Sequence, residues 1–178
     1  AQLKLHNNQL NTAQRSQLRY LDAYSTAFDG NYTDAITQFE RLIAEDDTAL
    51  AAFKARATLI NMYTLAKRYT EAFNISEEAV SKITSLSDKQ TSEQLYRVIA
   101  LLHNNVGDYD SGNYFATNII RQSANLVSVC AAWQLKIEAQ FHLAQADDFD
   151  QQVTQALQAC ELADSQLFIF IIQAFNAR

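Results

Sequence analysis

Cys130 and Cys160 are the only two cysteines in the 178-residue chain, and their spacing admits two chemistries. Each sits in an apolar-periodic run, one on either side of a turn near 145–148. Cys130 lies ~15 residues before that turn and Cys160 ~12 after it, which sets them at the same height on two antiparallel helices. They can be bridged, closing a loop whose restriction is worth roughly 3.5 kcal/mol in the chain-entropy model. They can equally be two free thiols filling small core positions. No base stands beside either, so a catalytic thiol is not expected.

The three histidines, His6, His103 and His142, fall in separate segments. Only His142 has an acid one helical turn away, Glu138, and no second histidine is near, so no metal site is predicted. The chain carries no Gly-rich phosphate loop and no Ser-His-Asp arrangement. No catalytic residue and no cofactor is therefore expected. Glu45-Asp46-Asp47 and Asp147-Asp148 read as helix caps rather than as acid and base. Asn31-Tyr32-Thr33 and Asn74-Ile75-Ser76 have glycosylation spacing but fall in turns or helices.

What is left is contact chemistry. Tyr20, Tyr24, Asn61, Thr64, Arg97, Leu101 and Asn104 occupy equivalent positions once the chain is aligned on its turns. Tyrosine rings offer rigid contact area, and asparagine amides can both donate and accept. Arg97 can fork onto a carboxylate. These seven are the candidate binding residues of a groove.

Helical hairpins must position them. Val106-Gly107-Asp108-Tyr109-Asp110 separates two apolar-periodic runs, with a glycine able to close one helix and an aspartate able to cap the next. Comparable turns recur at Asp29-Gly30-Asn31-Tyr32, Ala66-Lys67-Arg68-Tyr69 and Ala146-Asp147-Asp148-Phe149. The aromatic positions are 37, 40 and 40 residues apart (32 to 69, 69 to 109, 109 to 149), a period that signals stacked helix-turn-helix units. The chain holds no proline and three glycines, which favours long helices over a sheet. The expected fold is all-α in one domain, 1–178. Its hairpins span about 12–46, 48–86, 91–123 and 126–163, followed by a final helix at 165–177. A partial lead-in helix over Ala1 to Leu10 brings the count to ten. The first full helix is expected to bury Leu18, Leu21, Ala23, Ala27 and Phe28.

A net charge of −6 with dispersed basic residues argues against nucleic acid as a partner and against an anionic lipid surface. The longest apolar run, Leu167 to Ile172, is too short to span a bilayer. No signal peptide is recognisable. A chain that starts at Ala1 without Met fits a processed or excised piece.

An aromatic followed three residues on by a small residue (Tyr32 and Ala35, Tyr69 and Ala72, Tyr109 and Gly112) resembles the tetratricopeptide (TPR) signature, with longer helices and without the usual closing proline. Leu101 to Tyr109, the Cys130 segment, Ala159-Cys160-Glu161, Gln166-Leu167-Phe168 and Leu10 to Arg15 further resemble the TPR-type sensor regions of bacterial membrane-bound GGDEF diguanylate cyclases. The resemblance implies a non-enzymatic input region on the periplasmic side of the inner membrane. It would bind a peptide, protein or small ligand in its groove and be tethered through segments outside this chain. It also implies an oxidising compartment, in which a Cys130–Cys160 bridge would persist. Nothing matches the GGDEF catalytic motif. The alternative is a free-standing TPR adaptor in the cytoplasm.

In the last helix, Leu167, Phe168, Ile171, Ile172 and Phe175 form one apolar stripe expected to dock on the fourth hairpin, leaving Ile169 and Phe170 outside it. An end without a polar outer face is expected to meet a second copy of the chain or a further repeat.

Overall fold

The computed structural model describes residues 10–143 and 148–177. Among these, nine α-helices and one short 3-10 turn account for the regular structure, and there is no strand. The helices are α1 (Thr12–Phe28), α2 (Tyr32–Glu45), α3 (Leu50–Leu65), α4 (Tyr69–Lys82), α5 (Lys89–Val106), α6 (Tyr109–Gln122), α7 (Leu126–Leu143), α8 (Phe149–Leu162) and α9 (Gln166–Asn176). The expected lead-in helix and His6 lie outside the described residues. The fold is all-α.

Local chemistry sets the helix ends. Asn11 caps α1 through a reciprocal pair: its side chain accepts from the Gln14 amide at 2.9 Å, and the Gln14 side chain accepts from the Asn11 amide at 3.0 Å. Asp88 accepts from the Thr91 amide, so α5 starts at Lys89, earlier than the polar run 85–92 suggests. Asp108 accepts from the Ser111 amide to open α6. Gly30 and Gly107 adopt φ of 85° and 83°, the left-handed state that ends α1 and α5. At the equivalent place after α3 the chain uses Lys67, at φ 59°.

Successive helices pair as α1–α2, α3–α4, α5–α6 and α7–α8. The first helices also meet one another, α1 on α3, α3 on α5 and α5 on α7, while α2, α4 and α6 each pack on the first helix of the next pair. The result is two layers. α9 closes the array against α7 and α8. Central α3 is covered on most sides, with Ala51, Ala52, Phe53, Ala55, Ala57, Leu59 and Ile60 buried. Its alanines let neighbouring axes approach closely.

Apolar packing falls into three clusters. The largest joins α1 to α5 around Phe39, Phe53, Leu59, Leu95 and Ile99. A second joins α7, α8 and α9 around Trp133, Ile137, Val153 and Ile172. A small one between them holds Ala100, Ala116 and Leu135.

The structure departs from the sequence expectations in two helices. In α1, Ala23 is buried as expected, but Leu21 and Phe28 are exposed, Phe28 by 86%, and Tyr20 is buried in their stead. The buried side of this helix is the one α2 and α3 cover, and Phe28 lies at its C-terminal end, beside the turn into α2. In α9, Leu167 is 67% exposed and Ile169 is buried, so the docked stripe is Phe168, Ile169, Ile172 and Phe175. Leu167 and Phe170 face outward together.

Asn104 and Gly112 knit three helices. The Asn104 amide donates to the Leu135 carbonyl at 3.0 Å and to Glu138 at 3.3 Å, while its oxygen faces Gly112 on α6. A Cβ at Gly112 would fall 1.9 Å from that oxygen and 3.3 Å from the Ala100 carbonyl. Asn104 cannot yield without breaking its bonds to α7. Gly112→Ala would raise helix propensity by about 1 kcal/mol in open space, yet overpacking typically costs 1–3 kcal/mol. The clash should win. We expect Gly112→Ala to lower the denaturation midpoint, and a midpoint at or above wild type would refute the close α5–α6 approach.

Candidate ligand groove

Side chains from the first helix of every hairpin converge on one cavity of about 370 Å³. α1 contributes Tyr24, α3 contributes Thr58 and Asn61, α5 contributes Gln94, Arg97 and Leu101, and α7 contributes Gln134 and Leu135. Phe168 of α9 forms part of the wall. A neighbouring cavity of about 240 Å³ shares Gln94, Arg97, Ala131 and Phe168, and adds Gln90, Glu93, Asn125 and Ser128. The two lobes meet at Arg97, and together they form an amide-rich groove over an apolar floor. Ala57, Val98, Ala131 and Leu135 are buried beneath it, while Tyr24 and Arg97 stand exposed.

Of the seven candidate residues, the structure brings Tyr24, Asn61, Arg97 and Leu101 to this groove. The other three are buried. Tyr20 lies under α3, its ring 5.8 Å from Phe39 and its hydroxyl 3.3 Å from the Thr58 hydroxyl. Burial pushes its phenol up from the ordinary range. Thr64 donates to the Ile60 carbonyl at 2.7 Å, satisfying its hydroxyl within its own helix. Asn104 is turned into the α5–α6–α7 contact described above. The cause is rotational: residues three apart on a helix differ by about 60° around the axis, enough to pass from an open face to one covered by the next helix.

Gln94, Gln134 and Phe168 were not among the candidates. Gln94, Arg97 and Leu101 follow i, i+3, i+7 spacing, so extending the α5 face one turn back finds Gln94. Ala131, Gln134 and Leu135 repeat that face on α7. Phe168 had no such signal, because it belongs to an unbroken apolar run.

The cysteines sit behind the groove. Cys130 of α7 and Cys160 of α8 are joined by a disulfide, with a Cα–Cα distance of 4.7 Å, and both are fully buried. Histidine chemistry lies elsewhere. His103 packs between Phe73 and Phe115, at 5.2 and 5.5 Å, with Nδ1 2.8 Å from Asp108. The exposed ring of His142 stacks on Tyr109 at 4.6 Å. Among the described residues, no group of three or more His, Cys, Asp or Glu side chains is placed to hold a metal. No described helix is long and apolar enough to cross a membrane.

No protein-family model, curated protein or solved structure matches the chain.

Proposed function

We propose that this chain is a non-enzymatic TPR-like sensor domain that binds a ligand in the groove, and that it serves as the periplasmic input region of a membrane-bound diguanylate cyclase. The observation that carries the binding reading is convergence. Five helices from all four hairpins and the closing helix direct Tyr24, Asn61, Gln94, Arg97, Gln134 and Phe168 to one cavity. Asn61, Gln94 and Arg97 have no side-chain hydrogen bond or ion pair to another described residue. Polar groups that converge without satisfying one another are organised for something outside the chain. The buried disulfide supports an oxidising compartment. The wall supplied by Phe168 gives a ligand direct contact with α9, whose outer face carries exposed Leu167 and Phe170. That face is suited to relay occupancy to a neighbouring segment or a second copy.

The test is a thermal-shift screen of polar metabolites and short peptides on wild type and on Asn61→Ala/Arg97→Ala. A ligand at a hundred times its Kd stabilises by about 2.7 kcal/mol, so a true hit is easily read. Each substitution is expected to leave ligand-free stability within about 0.5 kcal/mol, and the hits should vanish in the double variant. Hits that persist there would overturn the groove as the binding site, as would a double variant that unfolds. The cyclase assignment predicts a membrane-spanning segment and a GGDEF motif encoded with this chain. Without them, the free-standing adaptor replaces it.

A further inference from the structure

We infer that the ligand of the larger lobe is a small monocarboxylate carrying an amide and an apolar side chain, the class of N-acylated hydrophobic amino acids. The inference rests on the ligand-binding reading of this groove and specifies its chemistry.

Charge comes first. The chain has a net charge of −6, yet among the described residues lining this lobe Arg97 is the only charged one. Glu93, one turn earlier on α5, lines only the smaller lobe. Glu138, the acid beside Gln134, already accepts from Asn104 and Gln134 at 3.3 and 3.2 Å. The Arg97 guanidinium therefore presents its donors to the lobe with no described carboxylate on them, in a setting that favours one anionic group. A planar fork suits a carboxylate bound bidentately.

Amides come second. Asn61 on α3 and Gln94 on the adjacent α5 each offer an acceptor and two donors to the lobe. A ligand amide has one donor and one acceptor to meet them. A purely apolar acid would leave these groups unpaired and forfeit affinity.

The floor and the size come third. Val98 and Leu135 lie buried beneath the polar rim, and Leu101 with Phe168 is half-buried beside it. These take an aliphatic or aromatic side chain, whose burial stabilises in proportion to its apolar area. About 370 Å³ lies at the low end of small-molecule sites. It suits a compact ligand rather than a long extended chain.

The experiment compares N-acetyl-L-phenylalanine with its neutral carboxamide by NMR chemical-shift titration of the intact chain. Wild type, Arg97→Gln and, as a remote charge control, Arg15→Gln are titrated side by side. The acid is expected to bind at least tenfold tighter than the amide, with shifts centred on Asn61, Gln94 and Gln134. That preference should collapse in Arg97→Gln and survive in Arg15→Gln. Equal binding of acid and amide at these residues would overturn the carboxylate assignment while sparing the groove. Shifts mapping elsewhere and indifferent to Arg97→Gln would overturn the groove as well. No perturbation by either probe would refute the N-acyl amino acid class and leave the ligand-binding reading to its own screen.

Discussion

Cys130→Ala should lower the stability of the fold by roughly 3.5 kcal/mol, the chain-entropy value for releasing a bridge across a 30-residue separation. The bridge ties α7 to α8 within the core that also receives α9, so its loss frees the unfolded chain and weakens the support of the groove's Ala131–Leu135 wall. Both sulfurs are fully buried, so reductant should act slowly on the native protein and quickly in denaturant. Urea midpoints of oxidised wild type, wild type refolded under reductant, and Cys130→Ala/Cys160→Ala make the comparison. The last two should agree and both fall well below the first. A shift under about 1 kcal/mol would mean that native strain cancels the entropic gain.

A comparably large effect should come from a single charge inside α3. The Arg56 side chain is fully buried. It donates to the Asp47 carbonyl at 2.6 Å and to Glu78 at 2.8 Å, and its Nε finds no described partner. It thereby clamps the α2–α3 loop and α4 onto the central helix. Arg56→Ala removes these bonds and leaves a cavity, with an expected cost of about 4 kcal/mol. Glu78→Ala strands the guanidinium and should cost about 3 kcal/mol, at the low end for a broken buried pair because water reaches the exposed side of Glu78. Arg56→Met fills the volume without a buried charge and should be the mildest of the three, at about 1–2 kcal/mol for the orphaned Asp47 carbonyl.

Acid should narrow the gap between wild type and Glu78→Ala. The hydrogen bond from Arg56, aided by Lys82 and opposed by burial, holds the Glu78 carboxyl below the usual range. A folded pKa below the unfolded one contributes stability in full above about pH 4.3, and loses it as pH falls through the folded value. Denaturation midpoints across that window decide it. If Arg56→Met proves worse than Glu78→Ala, the buried charge is more than a tie and this account of it fails.

How much of this was legible in the sequence depended on the range of the interaction involved. Helix ends are local: Gly107 with Asp108 announces the end of one helix and the start of the next within two residues. Hairpin pairing follows almost as directly from short turns and apolar period. What the period cannot give is the rotation of each helix against its neighbours. Tyr20 and Tyr24 share a face one turn apart, yet α3 covers the first and leaves the second in the groove. Asn104 looked like Leu101's companion and proved to be the tie to α7. The α9 stripe was misplaced for a related reason, since six apolar residues in succession from Leu167 to Ile172 define no direction by themselves. Arg56 was invisible to pattern reading, because an arginine among alanines reads as surface until the helices packed around α3 are known.

The thin middle cluster has a consequence for how the molecule comes apart. Between the large core of α1 to α5 and the core of α7 to α9 lie Ala100, Ala116 and Leu135, with Leu101 and Phe115 half-buried against them. α6 packs closely on α7 here and Asn104 ties α5 to α7. The seam still holds fewer fully buried apolar side chains than either core, so its apolar contribution to cooperativity is the smallest of the three. The two halves should behave as separate foldons, one strengthened by a covalent cross-link and one without, and amide hydrogens should exchange through two opening events of different free energy. The groove straddles that seam, with Asn61 on one side and Gln134 on the other. An occupant would bridge the foldons and merge their openings into one.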